Sequence, residues 1–149
     1  MLVLRTFSKI FGLAGLRLGY LLVDAALAPH IDSVQEPFNV NRAALAAGLA
    51  GVSDAGFVAH RRGQVAAARD LLSSELAAAG LRVFPSQSNF VLIELGADDE
   101  VVGDALMRRG ILIRGGREFG LPGFARVTVA PEAVMRRTAA EIVTAVRNA

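Results

Sequence analysis

The sequence predicts an α/β chain in successive layers: two short strands with helices, one long helix, and then a small α+β layer. Three observations predict it. Short apolar runs such as Leu2–Leu4 and Leu18–Val23, bounded by glycine or charge, read as strands. Val58, Val65, Ala68, Leu72 and Leu76 recur at helical spacing and mark a long helix. Beyond Gly80 the chain alternates between short strand-like and helix-like stretches.

The first strand is expected at Leu2–Leu4, followed by a loop from Thr6 to Leu16 and a second strand from Leu18 to Val23, closed by Asp24. A strand starting beside Met1 with no earlier element to pair with predicts that the chain is the portion of a longer protein. A helix is expected over about 26–34. The turn Pro37-Phe38-Asn39-Val40-Asn41 then leads into a helix from Arg42 to Val52, with Asn41 as its cap. Ser53-Asp54 opens the long helix to about Ala79, roughly 39 Å at 1.5 Å per residue, and Gly80 stops it. Strands follow at Arg82–Phe84, Phe90–Glu94, Ile111–Ile113 and Phe124–Val129, with a helix near Asp99–Arg109. Asp98-Asp99-Glu100 caps that helix and offsets its dipole. Pro131 suits the first position of a last helix, with Glu132 in its first turn.

Composition excludes several classes of function. The 149 residues carry a net charge of only +2, and the cations are not interleaved with aromatics, so no nucleic-acid groove is expected. No uninterrupted apolar run reaches the roughly 18 residues of a membrane span, and Lys9 and Arg17 interrupt the apolar start that imitates a signal peptide. There is no cysteine, hence no disulfide or thiolate metal site, and the default compartment is the cytoplasm. His30 and His60 lack partners at ligand spacing, so no metal is expected. The Arg pairs at 61–62, 108–109 and 136–137 read as solvated faces. A mean hydropathy of +0.44 is high for a free-standing domain, again as for a piece whose internal interfaces are exposed.

One count singles out a residue: of 16 basic side chains, only Lys9 is lysine. Forming an imine requires a primary amine that can lose its proton, which guanidinium effectively cannot do. A lysine retained by chance is the alternative. Around it, the segment from Thr6 to Tyr20 sets a hydroxyl, this amine and the Arg17 guanidinium in one loop. Fully extended, the eight steps from Lys9 to Arg17 would span roughly 27 Å, so they share a ligand only if Gly12 and Gly15 let the chain reverse. Ser8 and Arg17 are a suitable donor pair for a phosphate at a strand end. The pattern is neither a P-loop nor a dinucleotide fingerprint, and a tight hairpin with surface charges is the plain alternative.

On strand 124–129, Ala125, Val127 and Val129 alternate with Arg126 and Thr128. Arg126 is thus either a solvent-facing arginine or a fork for a carboxylate. Arg114 opens a loop with four glycines and Pro122, fit either to border a pocket or to stay on the surface.

Ser8-Lys9 followed by Gly12-Leu13-Ala14-Gly15-Leu16-Arg17-Leu18-Gly19-Tyr20 resembles the cofactor-lysine signature of fold-type I aminotransferases of the class I/II superfamily, and is especially similar to histidinol-phosphate aminotransferases. Residues 37–41, Pro85-Ser86-Gln87-Ser88-Asn89-Phe90-Val91, 110–114 and 125–129 resemble further family segments in the same order. The resemblance implies pyridoxal 5'-phosphate as cofactor, bound covalently by Lys9, which also moves the proton, with Ser8 and Arg17 on its phosphate. It implies Arg126, and more weakly Arg114, as substrate-binding residues for a carboxylate or phosphate. The expected reaction is amino-group transfer between an amino acid, or a phosphorylated amine such as histidinol phosphate, and a 2-oxo acid such as 2-oxoglutarate, in a homodimer. A threonine-phosphate-type decarboxylase of the same architecture, or a non-catalytic phosphate- or partner-binding fragment, is the alternative. In fold terms it implies that residues 1–52 end the large domain, with its mixed, mostly parallel sheet, that 53–80 form an interdomain helix, and that 81–149 form the small carboxy-terminal α+β domain. Some two hundred residues normally precede the lysine in this family, so the fragment alone is expected to be inactive.

Overall fold

A computed structural model describes all residues, 1–149. The chain divides into two compact units, Met1–Arg62 and Gly63–Ala149.

In the first unit, β1 (Leu2–Thr6) and β2 (Gly19–Val23) form an antiparallel pair with Leu4 opposite Leu21 and Thr6 opposite Gly19. This pair is what the chain contains of the mixed sheet expected for a larger domain. The helix expected over 26–34 is shorter, α1 (Ala28–Asp32). Helix α2 (Arg42–Ser53) starts where its cap predicts: Asn41 is extended and its Oδ1 accepts from the Ala44 amide at 2.8 Å.

The long helix is separate from the one before it, as expected, but begins a few residues later. Asp54 adopts extended backbone and its Oδ1 accepts from the amides of Gly56 and Phe57 at 3.0 and 3.1 Å. Such a carboxylate caps a new helix, so α3 is Phe57–Ala78, 22 residues or roughly 33 Å, separate from α2. Gly80, at φ +90°, follows its end. No single helix is long and apolar enough to cross a membrane.

In the second unit, β3 (Arg82–Val83), β4 (Phe90–Glu94), β5 (Arg114–Gly115) and β6 (Phe124–Thr128) form an antiparallel sheet in the order β3-β4-β6-β5. Helices α4 (Asp99–Met107) and α5 (Glu132–Arg147) complete the unit, with Pro131 as the extended residue before α5 rather than its first helical position. The strand expected at Ile111–Ile113 is absent. Ile111 and Ile113 lean on the core while Leu112 is 80% exposed, so the run alternates as a strand does but finds no ladder, and on that side β6 pairs only with the two residues after it.

Alternation sorts the sheet into two faces. Val91 and Ile93 of β4 and Ala125 and Val127 of β6 are buried with Ala68, Leu72 and Leu76 of α3, Val102 and Leu106 of α4, and Met135, Ala139 and Ile142 of α5. Burying each large aliphatic side chain contributes about 1.5–3 kcal/mol. The opposite face carries Phe90 and Leu92 of β4 beside Thr128 and Arg126 of β6. Two of the arginine pairs are tied rather than merely solvated, since Arg136 meets Glu75 at 2.8 Å and Arg109 pairs with Glu141.

Candidate functional site

The first cluster of candidate residues lies at the open end of the β1–β2 hairpin. The Phe7 amide donates to Leu18 O at 3.0 Å, one step past the Thr6–Gly19 pair, so Ser8 and Arg17 follow at the same end of the ladder. The Ser8 amide donates to Thr6 Oγ1 at 3.0 Å and the Thr6 hydroxyl donates to Ser8 Oγ at 2.9 Å, a local turn that collects both hydroxyls. The chain then reverses: Gly12 N donates to Lys9 O and Leu13 N to Phe7 O, with Gly12 at φ +71°. Lys9 is exposed, and no carboxylate pairs with it or with Arg17.

Arg17 has a left-handed backbone, φ +56° and ψ +54°, a conformation that costs a non-glycine residue roughly 1–2 kcal/mol. Its backbone amide donates to Ala14 O at 3.4 Å, closing a one-turn 3₁₀ helix over Ala14–Leu16, and a guanidinium nitrogen donates to the same oxygen at 2.6 Å. Strain of this kind is retained where surrounding contacts over-determine it. Here the Asn41 amide group that caps α2 also donates to Leu16 O at 3.0 Å, so a single side chain ties the loop to the helix. The loop also packs closely on α2: a Cβ on Gly48 would lie 2.4 Å from Leu18 Cδ2, and one on Gly51 would lie 2.9 Å from Phe11 Cδ1. Phe7, buried, packs against Phe11 with the rings tilted and 4.6 Å between centroids.

The second cluster belongs to the second unit. Arg114 and Arg126 are register partners on β5 and β6, so their side chains leave the sheet on one face, and they line an open cleft with Leu112, Ile113, Glu118 and Thr128. Arg126 lies over the Phe90 ring at 4.3 Å, and its Nε is buried with no hydrogen-bond partner. Cation–aromatic contact holds a guanidinium without occupying its donors. Arg114 is different: its Nε donates to Glu118 Oε2 at 2.7 Å while its guanidinium covers the Phe119 ring at 4.7 Å. The segment at 85–91 fixes Phe90, with the Ser86 hydroxyl donating to Phe90 O at 2.6 Å.

Asp99 has a role that its reading as one of three capping acids does not include. Asp98 is the cap, accepting from Glu100 N at 2.8 Å, whereas Asp99 is only 2% exposed. Its two oxygens accept from the amides of Arg117 and Gly123, each at 3.0 Å, so it pins the loop between Arg114 and β6. Gly116 is required there because a Cβ would meet Leu121 O at 2.1 Å. The Gly123 amide first, and the Arg117 amide next, hold the Asp99 carboxyl below the ordinary carboxylate range.

A depressed folded-state pKa stabilises the fold at pH values above the ordinary value of about 3.9, and that contribution is lost as pH falls through the lower folded value. Asp99→Asn is therefore expected to cost about 1.5–3 kcal/mol at neutral pH, since one amide is left facing a donor. It should also flatten the loss of stability below about pH 4, and urea unfolding of both proteins between pH 6 and pH 3 measures this.

Elsewhere, His30 and His60 join no group of three or more metal-ligating side chains.

The sequence profile of a protein family described as "Aminotransferase class I and II" matches residues 1–142. The chain is 45% identical over 128 residues to a histidinol-phosphate aminotransferase of Anaeromyxobacter sp. (strain Fw109-5), covering 85% of this chain and 35% of that protein. It is 41% identical over 135 residues to a histidinol-phosphate aminotransferase of Symbiobacterium thermophilum, covering 91% of this chain and 37% of that one. Among solved structures, the histidinol-phosphate aminotransferase of Sinorhizobium meliloti in complex with pyridoxal-5'-phosphate superposes with a TM-score of 0.87 at 32% identity, over 99% of this chain and 41% of the other. The chain thus spans little more than a third of the length of the curated relatives it matches.

Proposed function

The chain belongs to the class I and II aminotransferase family, and from this we propose that the enzyme of which it forms part transfers an amino group between an amino acid, or histidinol phosphate, and a 2-oxo acid such as 2-oxoglutarate. The observation that carries the proposal is the hairpin end, where the joined Thr6 and Ser8 hydroxyls, the exposed Lys9 and Arg17 follow the last rungs of one ladder, with no carboxylate paired to either cation. That donor set fits pyridoxal phosphate, which presents an anionic phosphate and an aldehyde. When bound, the cofactor supplies an electron sink for the bonds at the substrate's α-carbon.

The chain's own residues would do the rest. The Ser8 hydroxyl and the Arg17 nitrogens not used by Ala14 O would bind the phosphate and so orient the ring. Lys9 Nζ would anchor the cofactor covalently and, once released, carry the proton between carbon positions as a general base and acid. Arg126 would hold the substrate's carboxylate or phosphate, using its unpaired buried Nε–H. The same reading makes the whole enzyme a cytoplasmic homodimer acting on small molecules.

Arg17→Ala in the full-length protein tests the proposal. Cofactor affinity should fall by a factor of about 30 to several thousand, the usual cost of losing one charge-assisted partner. An unchanged cofactor dissociation constant would remove Arg17 from the site.

A further inference from the structure

The two cleft arginines are equivalent in position and unequal in state. Register sets them side by side on adjacent strands, and each guanidinium lies on an aromatic ring, yet Arg126 keeps a buried donor unpaired while Arg114 is taken by Glu118. The pair Arg114–Glu118 is exposed, with 56% and 60% of the side chains accessible. Exposed pairs of this kind are held weakly and exchange readily for a better partner. Two like charges on neighbouring strand positions also repel, and Glu118 on Arg114 offsets that repulsion.

We infer that Glu118 is a specificity-determining residue: an internal carboxylate that competes with ligand for Arg114 and so tunes the cleft between monoanions and phosphate dianions. The inference rests on the reading of Arg126 as the anion anchor. With Glu118 on Arg114, the cleft offers one free cation, which suits a single carboxylate on Arg126. A phosphate monoester carries nearly two charges and three acceptor oxygens, enough to engage both forks. It must therefore draw Arg114 away from Glu118, and it meets the Glu118 charge as a repulsion that a monoanion feels less.

Titration of the 149-residue chain with inorganic phosphate and, separately, acetate at about pH 7.5, followed through the arginine Nε–Hε resonances, tests this. Glu118→Gln should tighten phosphate about three- to tenfold while changing acetate less than about twofold, since one unit charge at a partly exposed site is at stake. Arg126→Ala should abolish both titrations. If Glu118→Gln leaves phosphate unchanged, or tightens both anions equally, while Arg126→Ala still abolishes binding, the role given to Glu118 is wrong and the anchor stands. If Arg126→Ala leaves both titrations intact, the reading of Arg126 fails, and the inference with it.

Discussion

Assayed by itself, the 149-residue chain is expected to turn over amino donor and 2-oxo acid far below about 1 s⁻¹, the lower end of ordinary enzyme rates. The residues proposed to carry the chemistry stand at the end of a two-stranded hairpin, and a pair of strands without further neighbours is marginally stable in water. Its side chains bear this out: Leu4 is 75% and Leu22 58% exposed, and Leu49 of α2 is 67% exposed. Apolar surface of that kind is normally covered by more protein. Transfer of a proton between two carbons requires the reacting groups to be held in near-attack geometry, worth on the order of 7–11 kcal/mol of barrier, and a loosely held hairpin end forfeits much of it. The full-length protein should show ordinary rates in the same assay. Turnover at about 1 s⁻¹ or faster by the purified fragment would show that the hairpin needs no further support.

Arg126→Ala in the full-length protein is expected to raise the Michaelis constant for the anionic substrate by a factor of about 30 to several thousand, with cofactor retention unchanged. The effect is large because the guanidinium is held over the Phe90 ring with its Nε buried and unpaired. A substrate oxygen bonded to that donor would pair a group that no protein acceptor satisfies. Steady-state kinetics together with cofactor titration separate this role from that of Arg17. Release of the cofactor by Arg126→Ala, at unchanged substrate affinity, would reverse the two assignments.

Features fixed by neighbours in sequence were legible before any coordinates. Asn41 could be read as a helix cap because its acceptor role reaches only to Ala44, and the two faces of β6 could be read because alternation is a property of the strand itself. The Lys9 loop was legible from composition, as the lone amine among arginines, and from its family signature. Features fixed at a distance were not. Asp99 differs from Asp98 only in that amides 18 and 24 residues away converge on it, and nothing in a run of three acids says which will be buried. Phe90 under Arg126 depends on strand pairing, and Glu118 on Arg114 depends on a single turn inside a glycine-rich loop. The break at Asp54 was visible from its capping chemistry, but that the new helix would begin only at Phe57 required the extended backbone of Asp54.

The central claim is that Lys9 is the amine to which the cofactor attaches. Reduction of the full-length protein with borohydride in the presence of pyridoxal phosphate would fix the cofactor on that amine, and tryptic mapping would locate it. A labelled peptide running from Thr6 to Arg17, uncleaved at Lys9, is expected. A label carried only by another amine, with Lys9 unmodified and cleavable, would contradict it.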